Sequence, residues 1–266
     1  MDGENLVLLD HDARGVATIT LNRPERHNAL SAALIGELTE VLVQLQEDNS
    51  VRVVVLASAG PTFCAGADIE EMRRAAGASA AENERDARRL ANLLVLLDGL
   101  AHPVVARVQG HGFGGALGLI AACDIVVAAD GAQFALTEVR LGIVPAMISP
   151  FVLRAIGARQ ARRFFLTAER FDATAAERLG LVHQIVPVET LDAAVAGIVG
   201  ELLKGAPGAQ ADAKRLIRYI TGRSDGQDRE FAVETANWIA RLRALGEGRE
   251  GLGAFLERRA PAWRRD

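Results

Sequence analysis

The stretch VVARVQGHGFGGALGLIAACDIVVAA, residues 104–129, decides the fold. Pro103 precedes an apolar run, Val104 to Val108, whose β-branched residues read as a strand. A turn with glycines at 110, 112, 114 and 115 follows, then a helix across Gly115 to Cys123 and a second strand at Ile125 to Ala129. Strand, glycine turn, helix and strand in 26 residues place the chain among mixed α/β proteins.

Working upstream, Leu6–Asp10 and Gly15–Leu21 flank the polar turn HDAR and read as a hairpin. Ser31 caps a helix in which Leu34, Leu38, Val41, Leu42 and Leu45 recur at helical spacing. Val51 to Ser58 is a buried strand by its continuous apolar run, and another helix runs from about Ala80 to Asp98. The unit strand, strand, helix therefore repeats. Downstream of Pro150 the pattern turns largely helical, with a short apolar run at Val182 to Val186. The GAPGAQ stretch at 205–210 is the best boundary, dividing the chain into a mixed body, 1–204, and a helical region, 205–266.

Composition narrows the function. Half of the 266 residues are hydrophobic and 24% charged, which excludes a disordered or fibrous chain. The longest apolar stretch, Phe113 to Ala129, is interrupted by Asp124, and MDGENLVLLDHD is acidic where a signal peptide is basic, so neither a membrane span nor secretion is expected. Cys64 and Cys123 lie 59 residues apart in a chain with five histidines, which gives neither a disulfide framework nor metal-ligand spacing. A cytoplasmic location follows. The net charge of −4 opposes nucleic-acid binding.

Three motifs remain. Gly110, Gly112 and Gly115 match G-x-G-x-x-G after a strand, with Asp130 further on, the form of an NAD-type dinucleotide fingerprint. Such a fingerprint usually opens its domain, whereas here more than a hundred residues precede it. PTFCAGADIEEM, 61–72, is a glycine-flanked turn whose backbone N–H groups can face a ligand. In AQFALTEVRLGIVP, 132–145, Glu138 sits among apolar residues, so it either points to solvent or is an acid of raised pKa.

Taken together and in this order, the three motifs resemble the enoyl-CoA hydratase/isomerase (crotonase) superfamily. The likeness extends from ITLNRPERHNAL near the start to EGREGLGAFLERRAPAW at the end, essentially the whole chain. It implies a spiral of repeated ββα units, 1–204, that binds an acyl-CoA thioester. It further implies a C-terminal helical region, 205–266, that assembles trimers or hexamers through residues such as Phe231, Val233, Trp238, Ile239 and Leu242. No cofactor is implied beyond coenzyme A as part of the substrate.

The resemblance also implies site roles. Backbone N–H groups of Ala67 and Gly115 form an oxyanion hole for a thioester enolate. Arg26, His27, Ala29, Ala65, Asp68 and Ile69 line the coenzyme A path. Glu138 matches one of two catalytic glutamates, while Gly118 stands where two-glutamate hydratases carry the other, and would leave room for a branch or a second carboxylate. The implied activity is hydration of an enoyl-CoA, in the manner of bacterial methylglutaconyl-CoA hydratases. A Δ3,Δ2-enoyl-CoA isomerase using one glutamate is the alternative, with a CoA-binding protein lacking turnover as a non-enzymatic one.

Overall fold

A computed structural model describes residues 5–264. The chain opens with the hairpin β1 (Val7–His11) and β2 (Val16–Leu21), followed by α1 (Ala32–Glu47) and β3 (Val53–Ser58). Helices α2 (Ile69–Gly77) and α3 (Ala80–Gly99) lead to β4 (Val104–Val108), the short β5 (Gly112–Phe113), α4 (Gly115–Ala122) and β6 (Ile125–Ala129). Next come β7 (Gln133–Ala135), α5 (Ser149–Thr167), β8 (Phe171–Asp172), α6 (Ala173–Leu179), β9 (Gln184–Val186) and α7 (Leu191–Leu202). The chain finishes in α8 (Pro207–Ile220), α9 (Asp225–Ala244) and α10 (Gly246–Leu256).

Six strands form one sheet in the order β1-β2-β3-β4-β6-β9, antiparallel only at the β1–β2 hairpin. The continuous apolar runs follow from burial of both faces. Val54 and Leu56 face a core shared with Leu34, Leu38, Leu93 and Leu97 of α1 and α3. Their neighbours Val53 and Val55 face Leu191, Val195 and Val199 of α7. Ser31 caps α1 as expected, its side chain accepting the Leu34 N–H at 3.2 Å.

A second, three-stranded sheet, β5-β7-β8, and the helix α2 were not anticipated from the sequence. Strands of two or three residues carry too little periodicity to read. They matter because they join the loops at the ends of the main strands.

The helices after residue 205 do not stand apart. Packing of α9 along α3 and of α10 against α2 and the turn at Glu138–Leu141 closes one side of the molecule. Asp98, Arg154, Arg223 and Asp228 tie α3, α5 and α9 together through ion pairs of 2.7 Å (Asp98–Arg154 and Asp98–Arg223) and 2.9 Å (Arg223–Asp228).

Candidate active site

Four loops run side by side. Leu30 donates its N–H to Gly66 O at 2.7 Å and accepts from Asp68 N–H at 3.3 Å, a parallel bridge in which Ala67 uses neither of its own backbone groups. Cys64 pairs in the same way with Gly112. Phe113 is in register with Ala135, and the Gly114 N–H donates to Ala135 O at 2.9 Å. These pairings line up residues 28–30, 64–67, 112–115 and 135–138 at one end of the sheet.

Both expected oxyanion donors are at this junction. Ala67 N–H and Gly115 N–H donate to no acceptor among the described residues. Gly115 is the first residue of α4, so its N–H is one of the free donors at a helix start, and the positive end of the helix adds to the pull on an anion. The two loops touch: a Cβ on Gly66, which has φ +88°, would lie 2.5 Å from Phe113 O and 3.5 Å from Gly115 N. Gly114, at φ 52° and ψ −119°, makes the turn into α4 that few other residues tolerate.

Glu138 opens a 3₁₀ turn, Glu138–Leu141, three residues beyond β7. Its Oε2 is buried without a hydrogen-bond partner, and a Cβ on Gly114 would lie 3.2 Å from its Oε1. Burial pushes the carboxyl up to about 7, against a small opposing effect of its own backbone N–H. Of the two readings open from the sequence, the structure supports the acid of raised pKa.

Ala65, Ala67, Gly115 and Glu138 line one cavity of about 470 Å³, whose other walls are mostly apolar: Leu30, Met72, Leu90, Ile143, Met147 and Ile239 among them. A cleft of this size with a few converging polar groups is the usual form of a small-molecule site.

Several expected positions lie elsewhere. Arg26 and His27 are exposed and Ile69 is 49% exposed; none of the three is in the cavity lining, nor is buried Ala29. His27 sits in the left-handed region and bonds Thr62 Oγ1 through Nδ1 at 3.0 Å. Asp68 is buried and its side chain is committed to the fold. It caps α2 by accepting from Glu70 and Glu71 N–H and pairs with Arg23 at 2.5 Å.

Gly118 requires a correction. It leaves no room for a substrate branch, because Ile148 and Leu94 fill the space: a Cβ there would meet Ile148 Cγ2 at 2.5 Å and Leu94 Cδ1 at 3.0 Å. The fingerprint glycines also have a packing account, since a Cβ on Gly110 would collide with Pro61 O. Cys64 is buried and its thiol is pushed up to about 12 by desolvation, which disfavours the thiolate form.

Sequence reasoning missed part of the far wall of the cavity, Arg243 of α9 and Leu252 and Phe255 of α10, and misplaced Ile239, which was expected at a subunit contact but is 1% exposed and belongs to this wall. It also missed Asn28, fully buried, whose amide donates to Ala59 O and Thr62 O at 2.8 and 2.9 Å and accepts Arg23 N–H at 2.9 Å, pinning the first two loops. The signal available in the sequence was an asparagine three residues ahead of the Ser31 cap, a residue type that tolerates the left-handed conformation it adopts here, φ 52°.

The family model for enoyl-CoA hydratase/isomerase matches residues 11–266. The crystal structure of an enoyl-CoA hydratase from Mycobacterium avium superposes with a TM-score of 0.86 at 39% identity, covering 98% of this chain and 100% of that one. Among curated relatives, a mevalonyl-coenzyme A hydratase of Aspergillus fumigatus is 32% identical over 94% of this chain and 91% of its own length. A hydroxycinnamoyl-CoA hydratase-lyase of Pseudomonas fluorescens is 31% identical over 91% and 89%. Relatives this diverse in acyl group, at similar identity, leave the acyl specificity to be read from the cavity itself.

Proposed function

The chain belongs to the enoyl-CoA hydratase/isomerase family, the crotonase superfamily, and from that premise we propose that it is an enzyme adding water across the α,β double bond of an enoyl-CoA. The observation that carries this reading is the Glu138 carboxyl, whose Oε2 is buried without a hydrogen-bond partner, beside two unused backbone N–H groups. The thioester oxygen accepts from Ala67 N–H and Gly115 N–H. The Glu138 carboxylate takes a proton from water as the water oxygen bonds to the β-carbon. The displaced electron pair moves to the thioester oxygen, giving an enolate held in the hole. Glu138 then returns the proton to the α-carbon, so one water is added and the carboxylate is regenerated.

One observation favours a second reading. Ile148 and Leu94 fill the space beside Gly118, so no second carboxyl comes from that position, and one carboxyl suffices for a Δ3,Δ2-isomerase moving one proton between two carbons. A panel of Δ2- and Δ3-enoyl-CoAs with product identification separates the two: 3-hydroxyacyl-CoA formed from the Δ2 substrate supports hydration, and Δ2 product alone from the Δ3 substrate supports isomerisation.

The reading includes no cofactor beyond coenzyme A in the substrate, whose path runs past Ala65 and the exposed Arg26, His27 and Ile69, and a place in fatty-acid or related acyl-CoA metabolism in the cytoplasm. The helical region 205–266 assembles trimers or hexamers. Support comes from exposed apolar side chains: Leu216, Ile217, Tyr219 and Ile220 of α8 are 59–76% exposed, and Phe231 and Trp238 of α9 about half. Light scattering showing a monomer at micromolar concentration would remove the assembly from this reading.

A further inference from the structure

We propose that the acyl group of the substrate carries a second anionic group, a carboxylate, received by Arg243. The proposal rests on the acyl-CoA reading above and names the class of acyl chain.

Charges around the cavity do not balance one another locally. Asp86 pairs with Arg89 at 3.2 Å. Glu71 pairs with Arg74 and accepts the Ala32 N–H at 3.0 Å. The side chains of Arg140 and Arg243, both lining the cavity, make no hydrogen bond or ion pair among the described residues. Arg140 is exposed, so water solvates it. Arg243 is half-buried, and that burial lowers its pKa, the Asp86 charge only partly opposing this. A half-buried guanidinium beside an apolar wall, with no side-chain hydrogen bond of its own, favours an anion next to it.

Its position is fixed by backbone contacts. Arg243 lies one turn beyond Ile239 on α9, and Ile239 packs with Ala87, Ile143 and Ala146 on the cavity side. The Gly248 backbone of α10 abuts Leu242 and Arg243, so closely that a Cβ there would lie 3.1 Å from Arg243 Cα. One turn on, Gly251 abuts Leu141 and Gly142, at the end of the turn that begins with Glu138. Thus α10 couples Arg243 to the catalytic turn through two close backbone approaches. An arginine in the last turn of a helix also suits the helix dipole, but that role is met equally by an arginine turned to solvent, as Arg241 is on the exposed side of the same turn.

A planar, always-charged fork in an apolar wall suits a carboxylate bound through two N–H donors. Arg243 is then a specificity determinant. The phosphates of coenzyme A are the other anionic source, and the test tells them apart.

The test compares binding of two saturated thioesters of equal chain length, glutaryl-CoA with its terminal carboxylate and pentanoyl-CoA without, by calorimetry on the full-length protein. Wild type is expected to hold glutaryl-CoA about 10- to 100-fold more tightly, the range for a hydrogen-bonded charge. Arg243→Met should abolish the preference while pentanoyl-CoA affinity stays within about threefold, and Asp86→Asn, on an exposed residue, should enlarge it by removing a competing anion. Equal affinities in wild type overturn the proposal. So does equal weakening of both thioesters in Arg243→Met, which assigns the residue to coenzyme A or to folding. Should Arg243→Met fail to fold, an Asp86→Asn protein with an unchanged or reduced preference overturns it. A preserved preference without any hydration of Δ2 substrates supports the carboxylate site and discards the hydratase reading; no binding of either thioester discards both.

Discussion

The Glu138 carboxyl is held over Gly114, whose Cβ position lies 3.2 Å from Glu138 Oε1. That relationship is set by the register of two very short strands, Phe113 opposite Ala135, and it places an acid of raised pKa beside the start of α4. The placement of Glu138 beside α4 depends on a pairing only two residues long.

Keeping this carboxyl dry has a stability consequence with a definite sign. Its folded pKa, about 7, lies above the ordinary value of 4.5, so between those two the folded state holds a proton that the unfolded state has lost. Stability therefore falls as pH rises through that window, and the loss is complete above it. Glu138→Gln should be more stable than wild type at pH 8, by at most about 3 kcal/mol, with the difference vanishing below about pH 4.5. Denaturant melts of both proteins at the two pH values check it.

A glutamate at 118 is expected not to restore a second catalytic acid. The Cβ position is already 2.5 Å from Ile148 Cγ2, so Gly118→Ala alone should cost about 1–3 kcal/mol by overpacking, and Gly118→Glu more. Pairing Gly118→Ala with Ile148→Ala should be less destabilising than the two single variants added together, because the new methyl fills part of the space that Ile148 vacates. Melting curves of the single and double variants measure this.

Asp68 should prove structural. It caps α2 and pairs with Arg23 in a half-buried setting, so Asp68→Ala is expected to destabilise by about 2–4 kcal/mol. Burial raises its pKa, but the Arg23 hydrogen bond and the Glu70 and Glu71 N–H groups outweigh this and hold it below the ordinary value. The stabilisation is accordingly present above the unfolded carboxyl pKa and lost as pH falls through the depressed one. Melts at pH 7 and pH 3 should show the wild-type advantage shrink, and an unchanged gap would contradict the pairing.

The sequence revealed strands buried on both faces, a helix capped at Ser31 and the glycine turn before α4, because each is a local pattern of hydrophobicity or turn chemistry. Ala67, Gly115 and Glu138 became legible only as a set through family resemblance, since an unused N–H of alanine or glycine leaves no trace in composition. Gly118 was misread for a physical reason. An absent side chain looks like space until the residue that fills it, Ile148, thirty positions away in sequence, is placed. Arg243 escaped for a similar reason, its meaning residing in which wall α9 supplies.

The most direct test of the account is steady-state hydration of a Δ2-enoyl-CoA by Glu138→Gln beside calorimetric binding of a saturated acyl-CoA. The substitution keeps the shape of the side chain and removes the base. Turnover is expected to fall by roughly 10² to 10⁴ while the dissociation constant stays within about threefold. Retention of more than about a tenth of the wild-type rate would contradict the assignment, because a general base contributes at least about a hundredfold.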